Sequence, residues 1–286
     1  MAIDKTGKLY LVATPIGNLG DMSPRAVEVL KEADIIAAED TRNSIKLLNH
    51  FGIAGRLESY HEYNRIEKAE ELTDRMLEGM DVALVTDAGM PAISDPGEDL
   101  VKIAAEKGIE VVIVPGPCAA VSALAVSGLS TRRFIFEGFL PTEKKPLKEV
   151  TDSLKKETRT VIIYEAPHRL KKTLAMLYEE LGNRKISIVR ELTKIHEETF
   201  RTTLFEACEY YQNCEPRGEY VLVIEGVSDR LIKEEAAEKW NDISIPEHVA
   251  MYEAQGMDRK EAMKKAAADR GVGKRDIYRA CLEEDG

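Results

Sequence analysis

Nothing in this chain suggests a disulfide framework, a zinc site or a membrane anchor. Its four cysteines, Cys118, Cys208, Cys214 and Cys281, are scattered along 286 residues, and no pair has Cys-x-x-Cys spacing. Reduced, partly buried thiols are the expectation. Five histidines form no His-Glu-x-x-His pattern, and neither a Gly-x-Gly-x-x-Gly nor a Gly-Lys-Ser/Thr loop occurs. The common dinucleotide and nucleoside-triphosphate enzymes are thereby disfavoured, and no metal is expected. The longest apolar stretches, 111–117 and 119–126, fall far short of the roughly 20 residues needed to cross a bilayer. Residues 1–11 lack the long apolar core of a signal peptide, so a cytoplasmic protein without a membrane partner is expected.

Positive charge is also scarce. The formal net charge is −11, which argues against a protein that coats nucleic acid non-specifically, because phosphate contact is mainly electrostatic. The deficit is uneven. From Asp258 to Arg279 there are eight basic residues against four acidic ones, so the tail is basic while the body is acidic. At 44% hydrophobic and 32% charged residues the chain reads as folded and soluble, long enough for two domains and an appendage.

Short runs rich in Val, Ile and Leu alternate with helical spacing, the pattern of buried strands in a largely parallel sheet flanked by helices. Strands are predicted at 8–13, 34–39, 81–86 and 110–115. Ser23-Pro24 caps a helix to about Ala33, and further helices span 67–78 and 97–107, with Gly108 as a C-cap. After Pro115-Gly116-Pro117 the pattern changes to a small-residue helix at 119–126, strands at 134–139, 160–164, 185–190, 199–204 and 219–225, and helices at 143–156 and 167–181. This reads as a second α/β unit with more antiparallel pairing. Three short helices punctuated by Gly256, Gly271 and Gly273 follow, either as a helix-turn-helix-like unit or as a solvated tail. The expected division is 1–116, 117–228 and 229–286.

In open α/β sheets, ligands bind beyond the carboxyl ends of the strands, which directs attention to four loops. The first, Ala13 to Asp21, is a tight turn with Pro15, Gly17 and Gly20. The second, Glu39-Asp40-Thr41-Arg42, is polar at the end of an apolar strand; helix capping by Asp40 or Thr41 explains only part of it. The third runs from Thr86 to Gly97. Its small residues allow close approach, Asp87 can accept hydrogen bonds from ribose or an amine, and Met90 and Ile93 offer apolar contact to a purine or thioether. The fourth, Pro115 to Ala120, opens a helix whose free amides can receive a carboxylate.

These loops, together with Glu137 to Pro141, Tyr164 to Arg169 and Arg190 to Lys194, resemble the tetrapyrrole-methylase superfamily. Within it they are similar to the branch that methylates ribosomal small-subunit RNA on the 2′-oxygen of a decoding-centre cytidine in 16S rRNA. The resemblance covers residues 8–226, and the tail also resembles that branch. It implies two α/β domains with S-adenosylmethionine in the cleft between them, a small C-terminal helical domain, and a homodimer acting on 16S rRNA in the small ribosomal subunit. By position, Pro15, Ile16, Asp87, Met90, Ile93, Cys118, Ala119 and Ala166 line the cofactor. Thr86-Asp87-Ala88 stands where the wider superfamily has Gly-Asp-Pro, a departure that suits the RNA branch.

A ribose hydroxyl is a poor nucleophile, so a nearby base helps to remove its proton. Glu39, Asp40 and Glu165 are the candidates. Arg42, His168, Arg169 and Lys194 are candidates for holding phosphates or cytosine, since a guanidinium fork bonds phosphate in two places. His168, at a helix start, can instead serve a backbone carbonyl, and Lys194 and Arg190 can instead pair with Glu191. Further basic surface lies in the tail, at Arg132-Arg133, and at Lys144, Lys145 and Lys148. Two rivals remain: a same-fold methyltransferase acting on a tetrapyrrole or a protein side chain, and a cofactor-binding protein without turnover.

Overall fold

Period-two burial organises both sheets, as the computed structural model shows for the residues it describes, 6–228, 239–240 and 242–284. The first sheet contains β1 (Lys8–Val12), β2 (Ile35–Ala38), β3 (Leu57–Ser59), β4 (Val82–Val85) and β5 (Glu110–Val114), in the order β3-β2-β4-β1-β5. Every pairing in it is parallel. Leu9, Leu11, Ile35, Ala37, Val82 and Leu84 point to one face. Val12, Ile36, Ala38, Ala83 and Val85 point to the other. Helices cover both faces, so the inner strands β2 and β4 are apolar and buried throughout, as expected of a parallel sheet.

The helices of this half are α1 (Pro24–Glu32), α2 (Thr41–His50), α3 (Arg65–Leu77) and α4 (Gly97–Glu106). Ser23 caps α1 by accepting the Ala26 amide, with Pro24 at the first helical position. Leu30 of α1 and Leu72 and Met76 of α3 are fully buried, each contributing about 1.5–3 kcal/mol.

The second sheet contains β6 (Phe134–Phe139), β7 (Thr160–Glu165), β8 (Lys185–Arg190), β9 (Glu198–Thr203) and β10 (Tyr220–Ile224), in the order β6-β7-β10-β8-β9. Only β6 and β7 run parallel; the other three pairings are antiparallel. One face packs α6 (Lys144–Lys155), α7 (Pro167–Leu181) and α8 (Leu204–Asn213) through Leu154, Leu170, Leu174, Leu177 and Leu204. The other packs α5 (Ala119–Ser127) through Ala120, Ala123 and Leu124. The expected mixture of two α/β units, the second more antiparallel, is what the chain forms.

Three elements depart from the sequence expectation. Helix α2 (Thr41–His50) forms in full where the sequence suggests only a possible cap at Asp40 or Thr41. The edge strand β3 is three half-buried residues, too short for a periodic signal. Leu204 begins α8 rather than ending a strand: Thr203 accepts the Glu206 amide and the Glu206 carboxylate returns to the Thr203 amide, a capping box.

In the tail, α9 (Ile245–Ala254), α10 (Arg259–Asp269) and α11 (Lys274–Glu284) pack together around Val249, Tyr252, Ala262, Ala266, Ile277 and Cys281. The start of the expected tail unit, 229–238, lies outside the described residues, as do 1–5 and 285–286. No helix among the described residues is long and apolar enough to cross a membrane.

Candidate active site

A cleft of about 400 Å³ opens between the two sheets, within the range of roughly 300–1,000 Å³ usual for small-molecule sites. On one side it takes Ile16 after β1, Glu39 after β2, Thr86, Ala88 to Met90 and Ile93 to Asp95 after β4, and Cys118 and Ala119 where α5 opens. On the other it takes Phe139 after β6, Tyr164 to Pro167 at the end of β7, Val189 and Leu192 around the end of β8, and Glu219 to Val221 at the start of β10. Because β10 is antiparallel to its neighbours, its first residues lie beside the last residues of β7 and β8.

The loops after β1 and β4 are joined to each other. Thr14 and Gly89 exchange both backbone hydrogen bonds, at 2.9 and 3.1 Å, and the Thr14 hydroxyl donates to the Thr86 carbonyl at 3.2 Å. Gly89 has a φ of 90°, and a Cβ there would come within 3.3 Å of Ile16. Asp95 fixes the rest of the β4 loop. Its carboxylate accepts the amides of Ala92 (3.0 Å), Ile93 (3.3 Å) and Gly97 (2.7 Å). Burial raises its pKa, and those amides oppose the rise.

Four non-glycine residues among those described have positive φ: Ala92, Ser94, Glu191 and Thr193. All sit in the two loops after β4 and β8 that border the cleft. Left-handed backbone costs about 1–2 kcal/mol per residue, and strain of this kind concentrates where a loop must hold a particular shape. The loops also meet across the cleft. A Cβ at Gly138, in the bulge of β6, would lie 2.9 Å from the Ser94 hydroxyl, and one at Gly17 would strike the Lys194 stem.

Glu39, Asp40 and Glu165 occupy different environments. Glu39 lines the cleft and accepts the Thr86 hydroxyl at 3.1 Å. Burial pushes its pKa up, and the Asp87 and Asp95 charges add to that against the pull of the Thr86 hydroxyl. Asp40 caps α2, accepting the Arg42 amide at 2.8 Å. Its carboxylate is gripped by the Arg42 guanidinium at 3.1 and 2.8 Å, which holds its pKa down to about 2. Glu165 has a fully buried side chain. Its oxygens receive the Ala166 amide at 2.8 Å and the Thr173 hydroxyl, with the Arg169 guanidinium 3.4 Å away.

Of the residues expected around a cofactor, Ile16, Met90, Ile93, Cys118, Ala119 and Ala166 line the cleft, whereas Pro15 and Asp87 lie beside it without forming its wall. Cys118 gives α5 no side-chain cap; the Ala120 amide is taken by the Tyr164 hydroxyl, and the remaining first-turn amides are open to a carboxylate. None of Arg42, His168, Arg169 and Lys194 lines the cleft. The Arg42 side chain is 87% exposed, and His168 is exposed on the first turn of α7. Arg169 donates to the Leu140 carbonyl at 2.8 Å. Lys194 pairs with Glu191 and Glu219, each at 2.9 Å, and Arg190 with Glu198 at 3.3 Å. Lys148 is paired as well, with Asp152 at 2.8 Å and Glu180 at 3.2 Å.

Several wall residues escape sequence reasoning. Tyr164 packs edge-on against Phe136 and Phe139, accepts the Ala120 amide at 3.1 Å, and has its pKa pushed up to about 12 by burial. Glu219, Tyr220 and Val221 reach the cleft only through the antiparallel placement of β10. Asp95 carried a signal in Asp-Pro-Gly ahead of a helix, a turn in which the carboxylate bonds backbone amides.

The walls are one-sided in charge. They include Glu39, Asp95, Glu165 and Glu219, and no lysine or arginine; behind the wall Lys194 pairs with Glu219 and Arg169 lies 3.4 Å from Glu165, which leaves Glu39 and Asp95 without a cation. Such a cleft favours a cationic ligand group and repels a polyanion.

The family model described as Tetrapyrrole (Corrin/Porphyrin) Methylases matches residues 8–208. A ribosomal RNA small subunit methyltransferase I of Halalkalibacterium halodurans is 51% identical over 281 residues, 98% of this chain and 96% of the relative. A protein of the same description from Synechocystis sp. is 46% identical over 278 residues, 97% and 98% respectively. Among solved structures, a diphthine synthase superposes with a TM-score of 0.62 over 77% of this chain and 90% of its own, at 16% identity, a likeness of fold.

Proposed function

This chain belongs to the tetrapyrrole methylase family, and from that premise we propose that it methylates the 2′-oxygen of a cytidine in the decoding centre of 16S ribosomal RNA. It is an S-adenosylmethionine-dependent methyltransferase of the ribosomal RNA branch. The acceptor atom, the nucleotide, the small subunit as substrate, the homodimer and the cytoplasmic location are our reading. So is the division into 1–116, 117–228 and 229–286.

The observation that carries the reading is the charge of the cleft. Four carboxylates and no cation suit a sulfonium and a neutral ribose. They do not suit a tetrapyrrole with several carboxylates, which would need lysine or arginine partners. The cleft residues fit the cofactor in further ways. Ile16, Met90 and Ile93 offer apolar contact, Gly89 leaves room that a side chain would fill, and the uncapped start of α5 offers amides to a carboxylate. When bound, S-adenosylmethionine supplies an electrophilic methyl group.

Glu39 acts as the proton acceptor for the ribose hydroxyl. Glu39 and Asp95 are the wall carboxylates with a raised pKa and no cationic partner, but Asp95 is committed to the Ala92, Ile93 and Gly97 amides, and a base is most effective when its pKa approaches the working pH. Asp40 is too strongly stabilised as the anion by Arg42 to be a good base. Glu165 has its oxygens committed to Ala166 and Thr173 and acts as a support for the β7–α7 turn. Arg42, at the rim, meets the phosphates that the acidic cleft keeps outside.

The test is transfer of labelled methyl from S-adenosylmethionine to small ribosomal subunits lacking the modification, with nuclease mapping and a porphyrinogen control. Label on one ribose of 16S rRNA is expected. Label on the porphyrinogen and none on RNA would overturn the reading.

A further inference from the structure

We infer that the C-terminal helices carry a docking groove for single-stranded RNA, lying between α10 and α11 and lined by Lys260, Met263, Lys264, Lys274, Arg275 and Tyr278. The inference rests on the reading of the acceptor as RNA and names a second contact for it, outside the cleft. The groove encloses about 310 Å³. Its walls are rigid because the opposite faces of the same helices are buried: Ala262 and Ala266 on α10, Ile277 and Cys281 on α11. Helical spacing therefore aims 260, 263 and 264, and 274, 275 and 278, at one space.

These cations converge on one groove without carboxylate partners. Several lysines elsewhere are neutralised by neighbours: Lys68 by Glu58 and Glu71, Lys107 by Glu70 and Asp74, and Lys155 by Glu180. Among the described residues, none of Lys260, Lys264, Lys274 and Arg275 forms an ion pair. The nearby acids are used otherwise. Asp258 accepts the amides of Lys260 and Glu261, both at 2.9 Å, Asp276 accepts the Gly273 amide at 3.1 Å, and Asp269 accepts the Tyr252 hydroxyl. Two other tail cations turn away: Lys265 lies over the Tyr252 ring at 4.6 Å, and Arg270 donates to the Ser244 carbonyl at 3.0 Å.

Four uncompensated cations around an aromatic ring are the chemistry of a single-strand site, where cations follow the backbone and a ring stacks on a base. Tyr278 is 57% exposed, which leaves a ring face for stacking beside half-buried Met263. A body with net negative charge repels RNA at long range, so a substrate with phosphates needs a positive surface apart from the cleft.

The experiment uses the full chain, a short fluorescein-labelled single-stranded RNA of mixed sequence, and fluorescence anisotropy over a range of salt. Lys264→Ala combined with Arg275→Ala removes two phosphate contacts and should lower the slope of log affinity against log salt by about 1.4. Tyr278→Ala should weaken binding roughly 10- to 100-fold, and Tyr278→Phe should restore it. Cofactor binding by calorimetry and the melting temperature should be unchanged in all three variants. Variants that bind the probe with the affinity and slope of the parent would overturn the groove. So would variants that lose binding to whole subunits while keeping it to the probe, since the groove would then face a protein. The two readings fail separately: a parent chain that binds the probe through the groove but methylates no ribosomal RNA would overturn the acceptor alone.

Discussion

The cleft and the tail groove are opposites. The cleft is walled by four carboxylates with no cation; the groove is walled by four cations with no carboxylate. The cleft is built on loops held in strained conformations by Asp95 and by the Thr14–Gly89 bridge, whereas the groove is built on helices with ordinary packing. On the proposed reading, the difference follows from two parts of one substrate. A ribose hydroxyl must be deprotonated beside a cationic donor, which calls for negative charge, exclusion of competing cations and fixed geometry. A phosphate backbone only needs to be held, and exposed lysines on a rigid helix suffice. Placing both demands in one pocket would pair the base with the phosphate-binding cations and lower its pKa, as Arg42 does to Asp40.

The contrast breaks most sharply at Glu39. Glu39→Gln should lower turnover roughly 100- to 10,000-fold while cofactor affinity holds. Because the folded-state pKa of Glu39 is raised, its ionised form opposes folding above that pKa, so Glu39→Gln should melt at the same temperature or higher at neutral pH. Parental activity in Glu39→Gln would remove the cleft's chemical role. Asp40→Asn should leave the acid limb of the pH profile in place, since Asp40 is already ionised above about 2.

Asp95→Asn probes the strained frame. Losing charge-assisted bonds to the Ala92, Ile93 and Gly97 amides should weaken cofactor binding by roughly 10-fold, read by calorimetry. Unchanged affinity would mean that loop strain is not what shapes the site. Thr86→Val is a finer probe. The Thr86 hydroxyl holds the Glu39 pKa down against burial, so its removal should move the acid limb of turnover, which rises as Glu39 ionises, to higher pH. A limb moving to lower pH would show that Glu39 is not the group titrating.

Much of this is legible in the sequence itself, for physical reasons. Strands β2 and β4 are buried on both faces, and with β1 and β5 they read as apolar runs that place all four strands to within a residue or so. The residues 57–59 of β3 lie at a half-buried edge and have no such run. Helix α8 was legible in principle, since Thr203 and Glu206 stand at capping-box spacing, but the β-branched residues before it favoured extending the strand. The loops after the strands were found as loops. Which of their side chains turn inward was legible only in part: Ile16, Glu39, Met90, Ile93, Cys118, Ala119, Glu165 and Ala166 line the cleft, whereas Glu219 arrives through antiparallel β10 and Glu165 is engaged by Thr173, pairings that no local pattern shows. Lys194 illustrates the same limit, since its partners Glu191 and Glu219 come from separate segments. The smallest expected effect is therefore its own. Lys194→Ala should change stability by less than about 1 kcal/mol and leave the KM for subunits near the parental value; a large rise in KM would extend the cationic surface to the cleft edge.

The most direct measurement compares methyl transfer to reconstituted small subunits that carry either cytidine or 2′-deoxycytidine at the mapped acceptor. An acidic cleft that deprotonates a ribose hydroxyl through Glu39 should label the ribonucleotide and leave the deoxynucleotide unlabelled, with equal retention of both subunits on the protein. Equal labelling of the two would place the methyl on the base and contradict the assignment of both acceptor atom and proton acceptor.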